Sequence, residues 1–264
     1  MLSERKLTAV QQFRLLSLIV TTGFVLSIAA HSITLWLGFD VSASLVKKIN
    51  FLNPINWVKL AVLCTAEEII FRGILSLDVK AVCISIFSWF ILLFSFLTEA
   101  IFKTGAIEGH HIYSLCFCVL LSIGATYITY TRYIPSIISI CKSNYNLLFW
   151  TLCILFALAH LNNYADAGGI TLPCLILVVP QLFMGSFLAV ARIRNGIATS
   201  AIIHFFADTW FFLFGLESSI HEHNYKFIIV VLLAILLLGS LQIRLFRDVA
   251  HTLMRPSALV LGTR

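Results

Sequence analysis

Charge is what this chain has little of. Only 11% of its 264 residues are Asp, Glu, Lys or Arg, against about 25% in a soluble domain. That scarcity leaves too little polar surface to wrap a water-soluble core. Paired cysteine is also missing. The seven cysteines are odd in number and none stands in a CxxC pair, so they read as small core hydrophobes and not as a disulfide framework or a zinc site. No stripe of Lys and Arg interleaved with stacking aromatics is present, so nucleic acid is not an expected partner. The net charge of +6 points instead to the anionic lipids of a membrane. There is no convincing internal repeat, no low-complexity tract and no linker, and residues 1–264 read as a single polytopic membrane domain.

Long apolar runs are what the sequence has instead: 60% of the residues are hydrophobic, among them 22 Phe. A crossing helix needs roughly 17–25 apolar residues. Such runs fall near 15–38, 56–77, 80–102, 112–131, 146–161, 171–191, 197–215 and 227–245. The first is too long for the core of a signal peptide, about 7–15 residues, and reads as a retained span. The expected fold class is therefore an all-α integral membrane protein, a bundle of about eight transmembrane helices with an intramembrane polar site. With eight spans, twelve Lys and Arg residues gather on the side of the two termini and five on the other. Positive charge marks the cytoplasmic side, so both termini are expected in the cytoplasm. In a bacterium the membrane would be the inner one.

Against this apolar background a few ionisable residues stand out, each carrying an insertion cost of about 2.5–3.5 kcal/mol near the bilayer centre. The second run contains CTAEEIIFRGIL, residues 64–75. Glu68 and Arg72 are four apart, lie on one helix face and can pair. Glu67 points about 100° away around the helix, with no local partner. It is open to two readings: a general base or acid, or part of an electrostatic clamp between helices. The fifth run ends in LFALAHLNNYADAGG, where His160 follows Phe156 at helical spacing. In the seventh, GIATSAIIHFFADTW, His204 and Asp208 share a face. Each could be a structural hydrogen bond or part of a site. Together they come from three runs, and sites in helical bundles are built from facing helices. The clusters at 108–111 (EGHH) and 221–223 (HEH) read as solvated loops, His31 as a histidine satisfied by a neighbouring helix, and Glu99 as reaching the interface. Gly185, Arg192, Arg194 and Gly196 read as a close-packed helix with a basic cytoplasmic turn.

Three of these elements, in order, resemble the motifs of the CAAX protease and bacteriocin-processing family of intramembrane proteases, also called CPBP or Abi proteins. They are EExxxR, as Glu67-Glu68-Ile-Ile-Phe-Arg72; FxxxH, as Phe156 to His160; and HxxxN or HxxxD, as His204 to Asp208. The segment PQLFMGSFLAVARIRNGIATSAIIH is similar to the family's approach to its last motif, and the resemblance covers about 55–215. It implies an eight-helix endopeptidase that trims prenylated CAAX proteins or processes peptide precursors, with a peptide or lipidated protein as substrate. By position, Glu67 would activate water, His160 would help to place it, and His204 and Asp208 would stabilise the oxyanion. Glu68 and Arg72 would support them. As a carboxylate, Asp208 cannot donate to an oxyanion and would have to be protonated, orient His204 or act through water. The family is often described as metal-dependent, and Glu67, His160 and His204 would then hold Zn²⁺. HExxH is absent, and a metal-free glutamate mechanism with no cofactor is the expectation. Two other classes remain: a non-catalytic bacteriocin-immunity or binding protein of the same fold, and a proton-coupled transporter. The transporter would call for inverted repeats, and Pro173 and Pro180 have no counterpart elsewhere in the chain.

Overall fold

The computed structural model describes residues 8–37, 53–102, 111–164 and 170–214, with a few positions near the C-terminus. The described residues are helical and contain no strand. In chain order the helices are α1 (Ala9–Trp36), α2 (Pro54–Arg72), α3 (Val79–Phe102), α4 (His111–Arg132), α5 (Ile134–Ser143), α6 (Tyr145–Ala159), α7 (Leu172–Leu177), α8 (Val179–Asn195) and α9 (Ile197–Phe214). The expected eighth run at 227–245, the loop clusters at 108–111 and 221–223, and the side chains of His31 and Glu99 lie outside what is described.

Three stretches are long and apolar enough to cross a bilayer: Val10–Thr34, Val79–Thr98 and Leu172–Asn195. A bent pair, α5 with α6, makes a fourth if it is one span, with 95° between its halves. Among the described residues, length and composition thus give three or four candidate spans of the expected bundle of about eight. Helix α2 is left out by its charge, since Lys59, Glu67, Glu68 and Arg72 all fall within one helix. In α9 the apolar helix counts only over Ile197–Thr209. Helix α5 was not foreseen from the sequence. Pro135 near its start has no N–H to lose there, and at the bend the Asn144 amide donates to the Ile140 carbonyl at 3.2 Å.

Helix α8 is the axis of the described assembly and packs against α1, α6 and α9. Met184 through Arg192 are buried without interruption, so the helix is covered on all sides, as a helix apolar all round should be. By contrast, only 11% of the apolar window in α3 is buried, against 67% for the stretch that contains α8. Leu93 and Phe96 of α3 and Leu120 of α4 face outward, as lipid-facing residues do. A helix break is built in at Gly196, whose φ of +89° suits glycine. It turns α8 into α9 within one residue.

Helix α2 starts on Asn53, whose side chain accepts from the Ile55 amide at 3.1 Å, with Pro54 in the first turn. Its other end is buried, and there the orphan carbonyls of a helix terminus need donors. Trp89 Nε1 and the Ser85 hydroxyl donate to Ile70 O at 2.9 and 3.2 Å. Arg192 donates to Arg72 O at 3.3 Å and to Gly73 O at 3.5 Å. The Tyr145 hydroxyl donates to Leu75 O at 2.7 Å. Arg192, read from the sequence as part of a basic turn, is thus buried and caps the negative end of the α2 dipole.

Gly185 lets α6 and α8 approach, because a Cβ there would meet Phe156 Cδ1 at 2.8 Å and Arg72 Nη2 at 3.3 Å. Gly185→Ala is expected to destabilise the protein by about 1–3 kcal/mol through overpacking, read as a lower unfolding midpoint in detergent. An unchanged midpoint would mean that the two helices are not in this contact.

Candidate active site

The polar residues singled out from the sequence meet in one cluster between α2, α6, α8 and α9. On the inner side of α2, Glu68 and Arg72 are fully buried and paired. The guanidinium also donates through Nε to Gly185 O at 3.2 Å and lies 4.2 Å from the centre of the Phe156 ring, a cation–π contact. Glu68 accepts from two further groups. Ser200 donates to its Oε2, while His204 Nδ1 lies 3.0 Å from its Oε1. An ionised carboxylate only accepts, so Nδ1 of His204 carries the proton. That leaves Nε2 facing the other way.

Nε2 of His204 is buried and has no hydrogen-bond partner. It faces Glu67 Oε2 at 3.6 Å and Asp208 Oδ2 at 3.5 Å. His160, at the end of α6, has Nδ1 2.8 Å from Phe156 O. A carbonyl only accepts, so this imidazole also donates through Nδ1 and turns Nε2 to Glu67 Oε2, at 4.0 Å. Both histidines thus aim the same nitrogen at the same carboxylate oxygen. The separations leave room for a bridging water or proton. The outer side is partly open, with the side chains of Glu67, His160 and Asp208 at 19%, 14% and 21% exposure.

All four residues expected to be catalytic, and both expected to support them, therefore lie in this cluster. Three contributors were not read from the sequence. Ser200 stands four residues before His204 on the same face of α9, a signal the sequence did carry. Gly185, read as part of a close-packed helix and not as part of a site, sits on α8 against Phe156 and Arg72. Cys64, read as a core hydrophobe, is buried, and its thiol donates to Asp208 Oδ2 at 3.5 Å. For metal binding, the set implied by the resemblance, Glu67, His160 and His204, spans 3.6 and 4.0 Å around one oxygen. A second set is Cys64, His204 and Asp208, whose ligand atoms lie within 4.8 Å of one another.

Fold and site together define an all-α protein with several membrane-length apolar helices and an embedded cluster of carboxylates, imidazoles and a guanidinium. Compared with known proteins, the chain matches no family model, no curated protein and no solved structure.

Breaking a buried pair by removing one partner costs about 3–5 kcal/mol, whereas replacing both by apolar groups can be near neutral. Arg72→Met is accordingly expected to destabilise strongly, and Glu68→Leu with Arg72→Met by much less than the sum of the single changes. Unfolding of the four proteins of this cycle in detergent measures it, and additive losses would contradict the pairing.

Proposed function

We propose that this chain is a multi-pass intramembrane endopeptidase of the CAAX protease and bacteriocin-processing type, with both termini in the cytoplasm, which hydrolyses a peptide or lipidated-protein substrate. The observation that carries the reading is the position of Glu67 Oε2 between Nε2 of His160 and Nε2 of His204, at 4.0 and 3.6 Å, on the partly exposed side of a buried network. A water held there is within reach of a carboxylate base and of two imidazoles.

In this reaction Glu67 takes a proton from the water, and the resulting hydroxide attacks the scissile carbonyl carbon. The proton then passes from Glu67 to the leaving nitrogen as the C–N bond breaks, and His160 holds the water in line. His204 faces the developing oxyanion. Its Nδ1 proton is committed to Glu68, so it donates at Nε2 only as an imidazolium. Asp208, 3.5 Å from that nitrogen, supplies the balancing negative charge. This gives Asp208 a role that needs no proton on its own carboxyl group. Arg72 and Ser200 hold Glu68, and Glu68 holds His204. In this form the reaction uses no metal. Zn²⁺ held by Glu67, His160 and His204 would supply a Lewis acid at the same water.

The test is cleavage of a panel of lipidated and unlipidated peptides by detergent-purified protein. Glu67→Gln is expected to lower turnover by about 10²–10⁴-fold, the usual contribution of a positioned base, with the unfolding midpoint retained. Wild-type cleavage is expected to survive a strong chelator. Turnover undiminished in Glu67→Gln would overturn the assignment of the base. Loss on chelation with rescue by zinc would overturn the metal-free form of the reaction.

A further inference from the structure

The reaction proposed above leaves one group in the cluster unused: the thiol of Cys64. It lies one helical turn before Glu68 on α2, is fully buried, and points across to α9. Its sulfur, His204 Nε2 and Asp208 Oδ2 stand within 4.8 Å of one another. The separations are informative. Zinc binds N and O at about 2.0–2.2 Å and S at about 2.3 Å, which in a tetrahedron puts neighbouring ligand atoms roughly 3.3–3.6 Å apart. Here sulfur to Asp208 Oδ2 is 3.5 Å and His204 Nε2 to Asp208 Oδ2 is 3.5 Å. Glu67 Oε2 lies 3.6 Å from the same nitrogen, and a turn of its side chain would bring it in as a fourth ligand.

Two further observations point to a cation. His204 Nε2 is buried without a partner and aimed into the cluster. The other nitrogen of that ring is held by Glu68 at 3.0 Å. This is the carboxylate–histidine arrangement that fixes the tautomer of a metal-bound imidazole and strengthens it as a ligand. The partly exposed Glu67 and Asp208 side chains give an entry path.

We propose that Cys64, His204 and Asp208, with Glu67 as fourth ligand, bind a thiophilic divalent cation of the zinc class. One thiolate, one imidazole and two carboxylates are a donor set that suits zinc. Ca²⁺ and Mg²⁺ want more oxygen ligands and no sulfur. Binding forms an S–metal bond and releases the thiol proton to solvent. The site differs from the one implied by the resemblance in using Cys64 and Asp208 and in leaving His160 out. Its consequence for catalysis rests on the proposed function. A cation here occupies His204 Nε2 and Glu67, so it blocks hydrolysis instead of assisting it.

Cobalt reports such a site without any activity assay. Chelator-stripped, detergent-purified protein titrated with Co²⁺ is expected to develop a near-ultraviolet thiolate-to-cobalt charge-transfer band that saturates at one equivalent and is abolished by Zn²⁺. Cys64→Ser is expected to lose the band and to bind at least tenfold more weakly, while Cys116→Ser, at an exposed cysteine, keeps it. Zn²⁺ should also raise the unfolding midpoint of wild type and leave that of Cys64→Ser unmoved, and a cooperative transition in the variant itself shows that it is folded. Absence of the band, or its persistence in Cys64→Ser, overturns the proposal and leaves the peptidase reading untouched. A saturating band in a protein whose chelator-stripped form cleaves no peptide of the panel overturns the peptidase reading and leaves the cation site standing.

Discussion

The carboxylate of Glu68 has no exposure to solvent, and the cluster depends on how that charge is met. An unpaired buried carboxylate carries a penalty of several kcal/mol. Here three donors from two other positions of the bundle and its own helix converge on it: Arg72, Ser200 and Nδ1 of His204. Each has a second consequence. Arg72 reaches on to Gly185 O and lies over Phe156, which ties α2 to α8 and α6. Ser200 also sits 3.1 Å from Leu188 O, which ties α9 to α8. His204 is forced into one orientation, with Nε2 turned to Glu67 and Asp208. A single buried charge therefore fixes both the approach of four helices and the direction of the imidazole.

The end of α2 meets the same demand from the backbone side. Terminal helix backbone buried away from water needs partners for its polar groups in the protein. Trp89, Ser85, Arg192 and Tyr145 supply them, from α3, α8 and α6. This is the end of α2 that carries Glu67, Glu68 and Arg72, where the chain passes into the 3₁₀ turn Gly73–Ser76. A rigidly satisfied helix end beside a partly open carboxylate gives the organisation a polar site needs: a fixed scaffold behind, with access in front.

How much of this was legible in the sequence depends on how local the signal is. The pairing of Glu68 with Arg72 and the shared face of His204 and Asp208 follow from four-residue spacing alone. The all-helical character follows from long apolar runs. The number of spans does not, because a run can bend, as at Asn144, or carry charges that only a partner helix makes tolerable, as in α2. The partners of Arg192 and the role of Gly185 are contacts between helices distant in sequence, and no period in one helix encodes them. Cys64 is the sharpest case. Its apolar neighbours mark it as core, and only the approach of α9 sets its thiol against Asp208.

If Glu68 orients His204, then Nδ1 of that ring carries a proton whether the imidazole is neutral or charged. The most direct measurement is ¹⁵N nuclear magnetic resonance of histidine-labelled protein in a membrane mimetic, with the His204 signals identified by their loss in His204→Gln. A protonated Nδ1 at His204 is the expected result. A bare Nδ1 with the proton on Nε2 would contradict it, because Glu68 would then offer an acceptor to an acceptor and the cluster could not be arranged as described.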